Sequence, residues 1–158
     1  GSYTGLRIGA AAIKGFAFCF EKPVILISTL KSLAYFHKEK GTLLCPVVDS
    51  RRGEVYLALY DSNMKTLIAP HSHVISQKSL FEFLENNKIS FFGTGHDKLK
   101  QVVSHPNAYF INNIFPSSKY LTELAHFKYH QKDFVDISNF EPLYLKEFIP
   151  TQQKKNII

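Results

Sequence analysis

The segment from Thr4 to Phe20 constrains this chain more than any other. It contains no helix breaker except glycine, which predicts one helix. Its large apolar groups (Leu6, Ile8, Ile13, Phe16, Phe18, Phe20) nevertheless point to several sides rather than along one stripe. Left in water, six such side chains forgo about 10 kcal/mol at about 1.5–3 kcal/mol each, comparable with the whole stability of a domain of this size. The helix therefore demands cover from another part of a longer chain, from a partner protein, or from both. The residues before it read as a loop with Ser2 and Thr4 as helix caps, so the chain is expected to start in the middle of a domain.

The composition is that of a globular protein. With 158 residues, 45% hydrophobic and 20% charged, there is enough for one good core or two small lobes. Lys14 and two glycines interrupt the most hydrophobic stretch, so no run reaches the ~18 apolar residues of a membrane span. Nor does that stretch read as a signal peptide, because no basic segment precedes it and no small-residue cleavage site closes it. Cys19 and Cys45 make no disulfide framework, and no C-x-x-C is present for zinc or redox work. A reducing, cytoplasmic compartment is the expectation. The formal charge is +6, and most of the excess is N-terminal: in residues 1–41 six cations face only Glu21 and Glu39. The plainer reading is that acidic residues of a preceding segment balance it. The alternative is a weak RNA-facing surface, although no RNA-binding motif is present.

Periodicity and breakers organise the rest. Pro23 stops the first helix, Val24 to Ile27 reads as a short buried strand, and Ser28 or Thr29 caps a helix with Leu30, Leu33 and Ala34 on one face. A single strand makes no sheet, so residues 1–37 read as an α-β-α remnant of a first lobe. Lys38-Glu39-Lys40-Gly41 marks the boundary, and residues 38–140 form a second lobe. Strands are predicted at Leu43–Asp49, at Glu54–Tyr60 with Val55, Leu57 and Leu59 on one face, and near Leu67–Ile75. A helix Ser79–Asn86, a strand Ile89–Phe92, a helix near Asp97–Ser104, a strand Tyr109–Asn112 and a helix Ser118–Gln131 follow. This β-β-β-α-β-α-β-α order gives a mixed sheet covered by helices, the ribonuclease H-like half of an α/β protein. Residues 141–158 read as a segment returning toward the first lobe, with a loose tail from Thr151.

Several residues invite chemistry. Asp49, Arg51 and Glu54 flank a turn at Gly53 and form either a carboxylate pair with a positioning arginine or, more simply, a charged network that fixes the turn and the lobe junction. Gly93-Thr94-Gly95, between a strand and a helix, is placed to cradle a phosphate. No Walker lysine follows, however, and a tight strand-to-helix turn needs glycines anyway. His126 and His130 have a metal-ligand spacing but lack the Glu and third ligand of a zinc protease; they read as surface histidines. His71 and His73 are read as strand or turn residues pointing to opposite sides. Gly5, Gly9 and Ala12, at i, i+4 and i+7, make a small-residue strip on which another helix can approach closely; it either seats the helix on its own sheet or meets a partner.

Three segments resemble one family, the bacterial TsaB (YeaZ) proteins. Gly1-Ser2-Tyr3-Thr4-Gly5-Leu6-Arg7-Ile8-Gly9 is similar to its G-S-[FY]-T-G-[LV]-R-I-G segment, with Lys14-Gly15 and Ser28-Thr29-Leu30 at the expected spacing. Asp49-Ser50-Arg51-Arg52-Gly53-Glu54-Val55-Tyr56 resembles its D-A-R-R-G-E-V-Y hairpin, and Pro142-Leu143-Tyr144-Leu145-Lys146 its P-x-Y-L-R end. Ser50 for Ala and Lys146 for Arg are mild departures, although a lysine makes no bidentate contact.

The resemblance implies an actin-like, sugar-kinase-like fold of two lobes, with the first truncated. In the family about 65–70 residues, carrying the first strands and first helix, precede the matching segment. It further implies a non-catalytic subunit that binds and activates a TsaD-like enzyme, beside a TsaE-like ATPase, in threonylcarbamoyl modification of the adenosine next to the tRNA anticodon. Cofactors are then expected on the partners, ATP and metal alike, and none on this subunit; tRNA is met through the complex, and an isolated copy is expected to pair with itself. Gly5, Leu6, Gly9, Ala12, Ile13 and Phe16 become the expected partner interface, and Asp49, Arg51, Gly53, Glu54 and Tyr144 the structural motif residues. The rival classes are a glycoprotease-like metallopeptidase or other hydrolase and a small-molecule kinase of the same superfold.

Overall fold

Leu44 to Val47 are fully buried, and this run lies at the centre of a five-stranded sheet ordered β3-β2-β1-β4-β5. In a computed structural model of the protein, residues 2–50 and 53–146 are described. Gly1, Arg51, Arg52 and the tail from residue 147 lie outside the described residues. The strands are β1 Leu43–Asp49, β2 Glu54–Tyr60, β3 Thr66–Val74, β4 Ile89–Phe92 and β5 Ala108–Ile111. The first three form an antiparallel meander, with Val47 opposite Leu57 and Val55 opposite His73. On its other side β1 runs parallel to β4, and β4 parallel to β5. The expected β-β-β-α-β-α-β-α order is therefore present, as a mixed sheet.

Alternation along β2 divides the core between the two faces. Val55, Leu57 and Leu59 meet Cys45, Val47, Ile89, Phe91, Leu84 and Leu99 on one face. Ala58 and Tyr60 join Leu44 and Phe92 on the other, under Leu30, Leu33 and Ala34 of helix α2 (Thr29–Phe36). Each such large side chain contributes about 1.5–3 kcal/mol on burial. Ser28 caps α2 by accepting a hydrogen bond from the Lys31 N–H at 3.4 Å. Helix α2, grouped by sequence with residues 1–37, thus lies on the sheet formed by the residues that follow.

Helix α1 spans Tyr3–Cys19, with Ser2 Oγ accepting from the Gly5 N–H at 3.1 Å. Thr4 is inside the helix and is not a cap. The strand expected at Val24–Ile27 is, among the described residues, a single antiparallel bridge, Val24 to Val135, and Leu26 is exposed. Helices α3 (Phe81–Leu84) and α4 (His96–Lys100) are each about one turn, shorter than the sequence pattern suggests. A 3-10 turn, Ser118–Leu121, leads into α5 (Thr122–His130).

Gly93 sets how closely the β4–α4 turn approaches the centre. It has φ +106°, and a Cβ there would lie 2.3 Å from the Val47 carbonyl oxygen. Gly93→Ala is expected to cost at least about 3 kcal/mol in urea denaturation. Gly9→Ala, whose Cβ would meet nothing within 4 Å, is expected to gain about 0.5–1 kcal/mol.

His37 closes α2 among the rings of Phe36, Phe92 and Tyr120, with its Nε2 buried and unpartnered. Burial first, then the Lys119 ammonium, hold its pKa below the ordinary 6.5; His73 is lowered likewise by burial and by His71. As pH falls through the ordinary histidine value the unfolded chain binds more protons than the folded one. Stability is therefore greatest above that value and declines on acidification, until the histidines protonate in the folded state. Urea titrations from neutral to mildly acidic pH should show this slope, and His37→Phe should flatten it. An unchanged slope in that variant would assign the dependence to other groups.

Candidate functional site

Helix α1 turns its smallest surface inward. Ala17 is buried and Ala10 half-buried against Val24, Val135, Ile137 and Phe140; Lys14 donates to the Ser138 carbonyl at 3.2 Å and lies over the Phe140 ring. Helical spacing turns Gly5, Gly9, Ala12 and Phe16 away from this seat and leaves Leu6 and Ile13 at its edge beside Ala17; all six are exposed, Phe16 to 62%. Phe20 extends this side, its ring 6.4 Å from that of Phe16. Ile8, nearly opposite the seat, and Phe18, on a flank, are exposed too, Phe18 to 80%. Among the described residues, then, the small-residue strip is not what seats the helix on its own chain.

The hairpin motif is tied down by lysines from elsewhere. Asp49, at the end of β1, pairs with Lys98 of α4, and the same ammonium donates to the Ser50 carbonyl at 2.8 Å. The Asp49 N–H donates to Thr94 Oγ1 at 3.0 Å. Glu54, opening β2, accepts from Ser72 Oγ at 2.9 Å and from Lys146 Nζ at 2.6 Å. Gly53 takes the positive φ of the turn, +74°, and Arg51 lies outside the described residues. Tyr144 comes to Tyr3 of α1, ring centroids 4.8 Å apart. The two carboxylates thus serve separate partners, anchoring the hairpin to α4, to β3 and to the returning segment.

Gly93-Thr94-Gly95 has a packing role. Besides Gly93, a Cβ on Gly95 would fall 2.9 Å from the Asp49 nitrogen, so both glycines let the turn lie against β1. His71 and His73 share one side of β3, their rings 5.6 Å apart. The expectation of opposite sides fails because strand residues two apart face the same way. His73 Nε2 lies 2.9 Å from Ser79 Oγ, which also accepts from the Ser76 N–H. The rings of His126 and His130 are exposed and 4.3 Å apart. Among the described residues, no group of three or more His, Cys, Asp or Glu side chains is arranged for a metal. Burial pushes the Cys45 thiol up, so it behaves as an apolar core group.

Sequence reasoning missed His96. It is buried, with Nδ1 2.6 Å from the Gly93 carbonyl and Nε2 3.0 Å from Asn112 Oδ1, and it pins α4 to the end of β5. No spacing signal marks it.

Residues 1–135 match the family model for TsaD, the tRNA N6-adenosine threonylcarbamoyltransferase. The chain belongs to this family, in its TsaB (YeaZ) branch. It is 30% identical over 152 residues to the tRNA threonylcarbamoyladenosine biosynthesis protein TsaB of Bacillus subtilis, and 28% over 157 residues to that of Haemophilus influenzae. In both cases 92% of the chain is aligned, and it spans 66% of the relative's length. A crystal structure from Pseudomonas aeruginosa, described as an uncharacterized protein similar to peptidase YeaZ, superimposes with a TM-score of 0.75 at 23% identity, covering 92% of this chain and 69% of that one. YeaZ from the same organism gives 0.71 at 22% identity, with the same coverage. The fold shared with these YeaZ structures is the actin-like, ribonuclease H-like one.

Lys146 fastens the TsaB-like terminal motif. Lys146→Ala is expected to speed amide exchange in residues 141–146 while changing global stability by no more than about 1 kcal/mol, as for a partly exposed ion pair. Exchange unchanged there would show that the packing of Tyr144 and Leu145 holds the segment.

Proposed function

We propose that this chain is a non-catalytic dimerisation and scaffold subunit, which binds a TsaD-like enzyme and activates it for threonylcarbamoyl modification of the adenosine beside the tRNA anticodon. The reading is carried by the exposed surface of α1 formed by Gly5, Gly9, Ala12 and Phe16, turned away from the helix's own seat, with Leu6 and Ile13 exposed along its border; it is apolar and rich in small residues. Glycines at this spacing let a second helix approach, and the flanking Leu, Ile and Phe side chains supply the apolar area to hold it. The names of the relatives supply the pathway. Asp49, Gly53, Glu54 and Tyr144 act structurally, with Arg51 assigned to the same motif by its place in the hairpin sequence. ATP and metal belong to the partner enzymes, the TsaD-like subunit and a TsaE-like ATPase, and tRNA is reached through the complex in the cytoplasm. No described helix is long and apolar enough to cross a membrane.

The test is co-purification with the TsaD-like enzyme of the same source, together with restoration of threonylcarbamoyladenosine in cells depleted of their own TsaB-like protein. Both are expected of the intact protein. Gly9→Leu and Phe16→Asp should each weaken the association at least about tenfold while leaving the isolated protein folded, because neither residue packs inward. Failure of the intact protein to restore the modification would remove this reading. Stoichiometric metal with chelator-sensitive peptide cleavage would replace it with the hydrolase class, and ATP turnover by the protein alone with the kinase class.

A further inference from the structure

We propose that the C-terminal end of α2 and the loop after it form a contact face for unpaired RNA, specifically a single-stranded segment of the tRNA substrate. The choice of tRNA rests on the function proposed above; the surface itself is read from its side chains. Phe36 is 53% exposed, its ring backed by that of Tyr120 at 4.2 Å and met edge-on by His37, so that half of the residue remains open to a ligand. The Lys119 ammonium lies 5.7 Å from the Phe36 centroid and 5.0 Å from the Tyr120 centroid, and Lys38 sits 4.4 Å over Tyr35. Beside them is a hollow of about 530 Å³ between the α2 end and the β2–β3 turn, lined by Tyr35, Lys38, Glu39, Lys40, Asn63 and Met64.

The charges favour an anion. Exposed Lys31, one helical turn before Tyr35, joins Lys38, Lys40 and Lys119. The carboxylates of this region are Glu39, Asp61 and Glu123, the last one helical turn after Lys119, and Asp61 Oδ1 already accepts the Asn63 and Lys65 N–H groups. Lysines interleaved with aromatic faces suit a strand whose phosphates meet the ammonium groups while a base stacks on Phe36. An acidic protein segment would use the lysines but leave the ring idle.

Fluorescence anisotropy of the intact protein with a labelled unstructured RNA and with a tRNA transcript, at about 50 and 200 mM salt, tests this. Saturable, salt-sensitive binding is expected. Replacing Lys38, Lys40 and Lys119 together by Glu should weaken it at least tenfold and reduce the magnitude of the salt slope by about 2, since each single-strand phosphate contact contributes about 0.7. Phe36→Leu, which keeps the packing on Tyr120 and removes the stacking surface, should cost about fivefold or more. Replacing Lys22, Lys78 and Lys132 by Glu makes the same change in net charge elsewhere and should leave affinity within about threefold. Circular dichroism on each variant confirms folding. Equal loss in the distant triple variant, no saturable binding at low salt, or competition by polyglutamate as effective as by RNA would each overturn the proposal. A protein that restores modification yet binds no RNA loses this inference and keeps the scaffold role. One that binds RNA yet restores nothing does the reverse for the RNA-binding face itself.

Discussion

The position of β1 between an antiparallel and a parallel neighbour governs the rest of the molecule. A strand covered on both faces has no room for reactive groups along its length, and Leu44 to Val47 carry none that is accessible. What β1 presents to its surroundings is its end, Asp49. There the β4–α4 turn comes in close enough to require Gly93 and Gly95, Lys98 takes the carboxylate, and Thr94 takes the backbone N–H. The hairpin that follows is held at its other side by Glu54. Charged residues that resemble an active-site constellation in one dimension are, in three, fasteners around the end of a buried strand.

Helix α1 stands in contrast to this core. Its seat consists of two alanines, the stem of a lysine and, at its first turn, the Tyr3 ring against Tyr144, a small area of apolar burial for seventeen ordered residues. The Ser2 cap contributes about 1 kcal/mol, and an isolated helix of this length is marginal in water. The large side chains that would stabilise it by packing are exposed around the rest of its circumference. A surface arranged in this way gains most from a second helix laid along Gly5, Gly9 and Ala12, which is why association, rather than chemistry, carries the functional reading.

Much of this was legible in the sequence, and the failures have identifiable causes. Strict alternation in Glu54–Tyr60 marks a strand with a divided core, and the Leu30-Leu33-Ala34 face marks α2, because both signals depend only on local period. Val24–Ile27 reads as a strand from its composition, but a strand exists only through its neighbours, and Val24 alone finds one. Helices α3 and α4 were overextended because apolar spacing persists beyond the residues whose backbone is helical; Phe83 packs from within α3, while Leu80 is held just outside it at positive φ. The partners of Asp49 and Glu54 were not readable: Lys98 and Lys146 are 49 and 92 positions away, and a lysine carries no local mark of the carboxylate it will meet. His96 was invisible for a similar reason, since its hydrogen-bond partners, just beyond the ends of β4 and β5, are brought to it by the sheet.

Lys146 shows how a departure from a family pattern is absorbed. An arginine in its place has a planar fork that spans both oxygens of a carboxylate, whereas an ammonium delivers its charge to one point. Here Ser72 Oγ and Lys146 Nζ both meet Glu54 at the same oxygen, Oε2. The serine hydroxyl holds the carboxylate in place from β3, so the cation need not orient it and only has to supply charge at a fixed position. Tyr144, its ring tilted against that of Tyr3, brings the chain to that position. Geometry that the arginine would provide by itself is divided in this chain between a hydroxyl, an aromatic contact and a lysine, with Leu145 packed on the core beside them, so the returning segment is held by several modest interactions and depends on no single one of them.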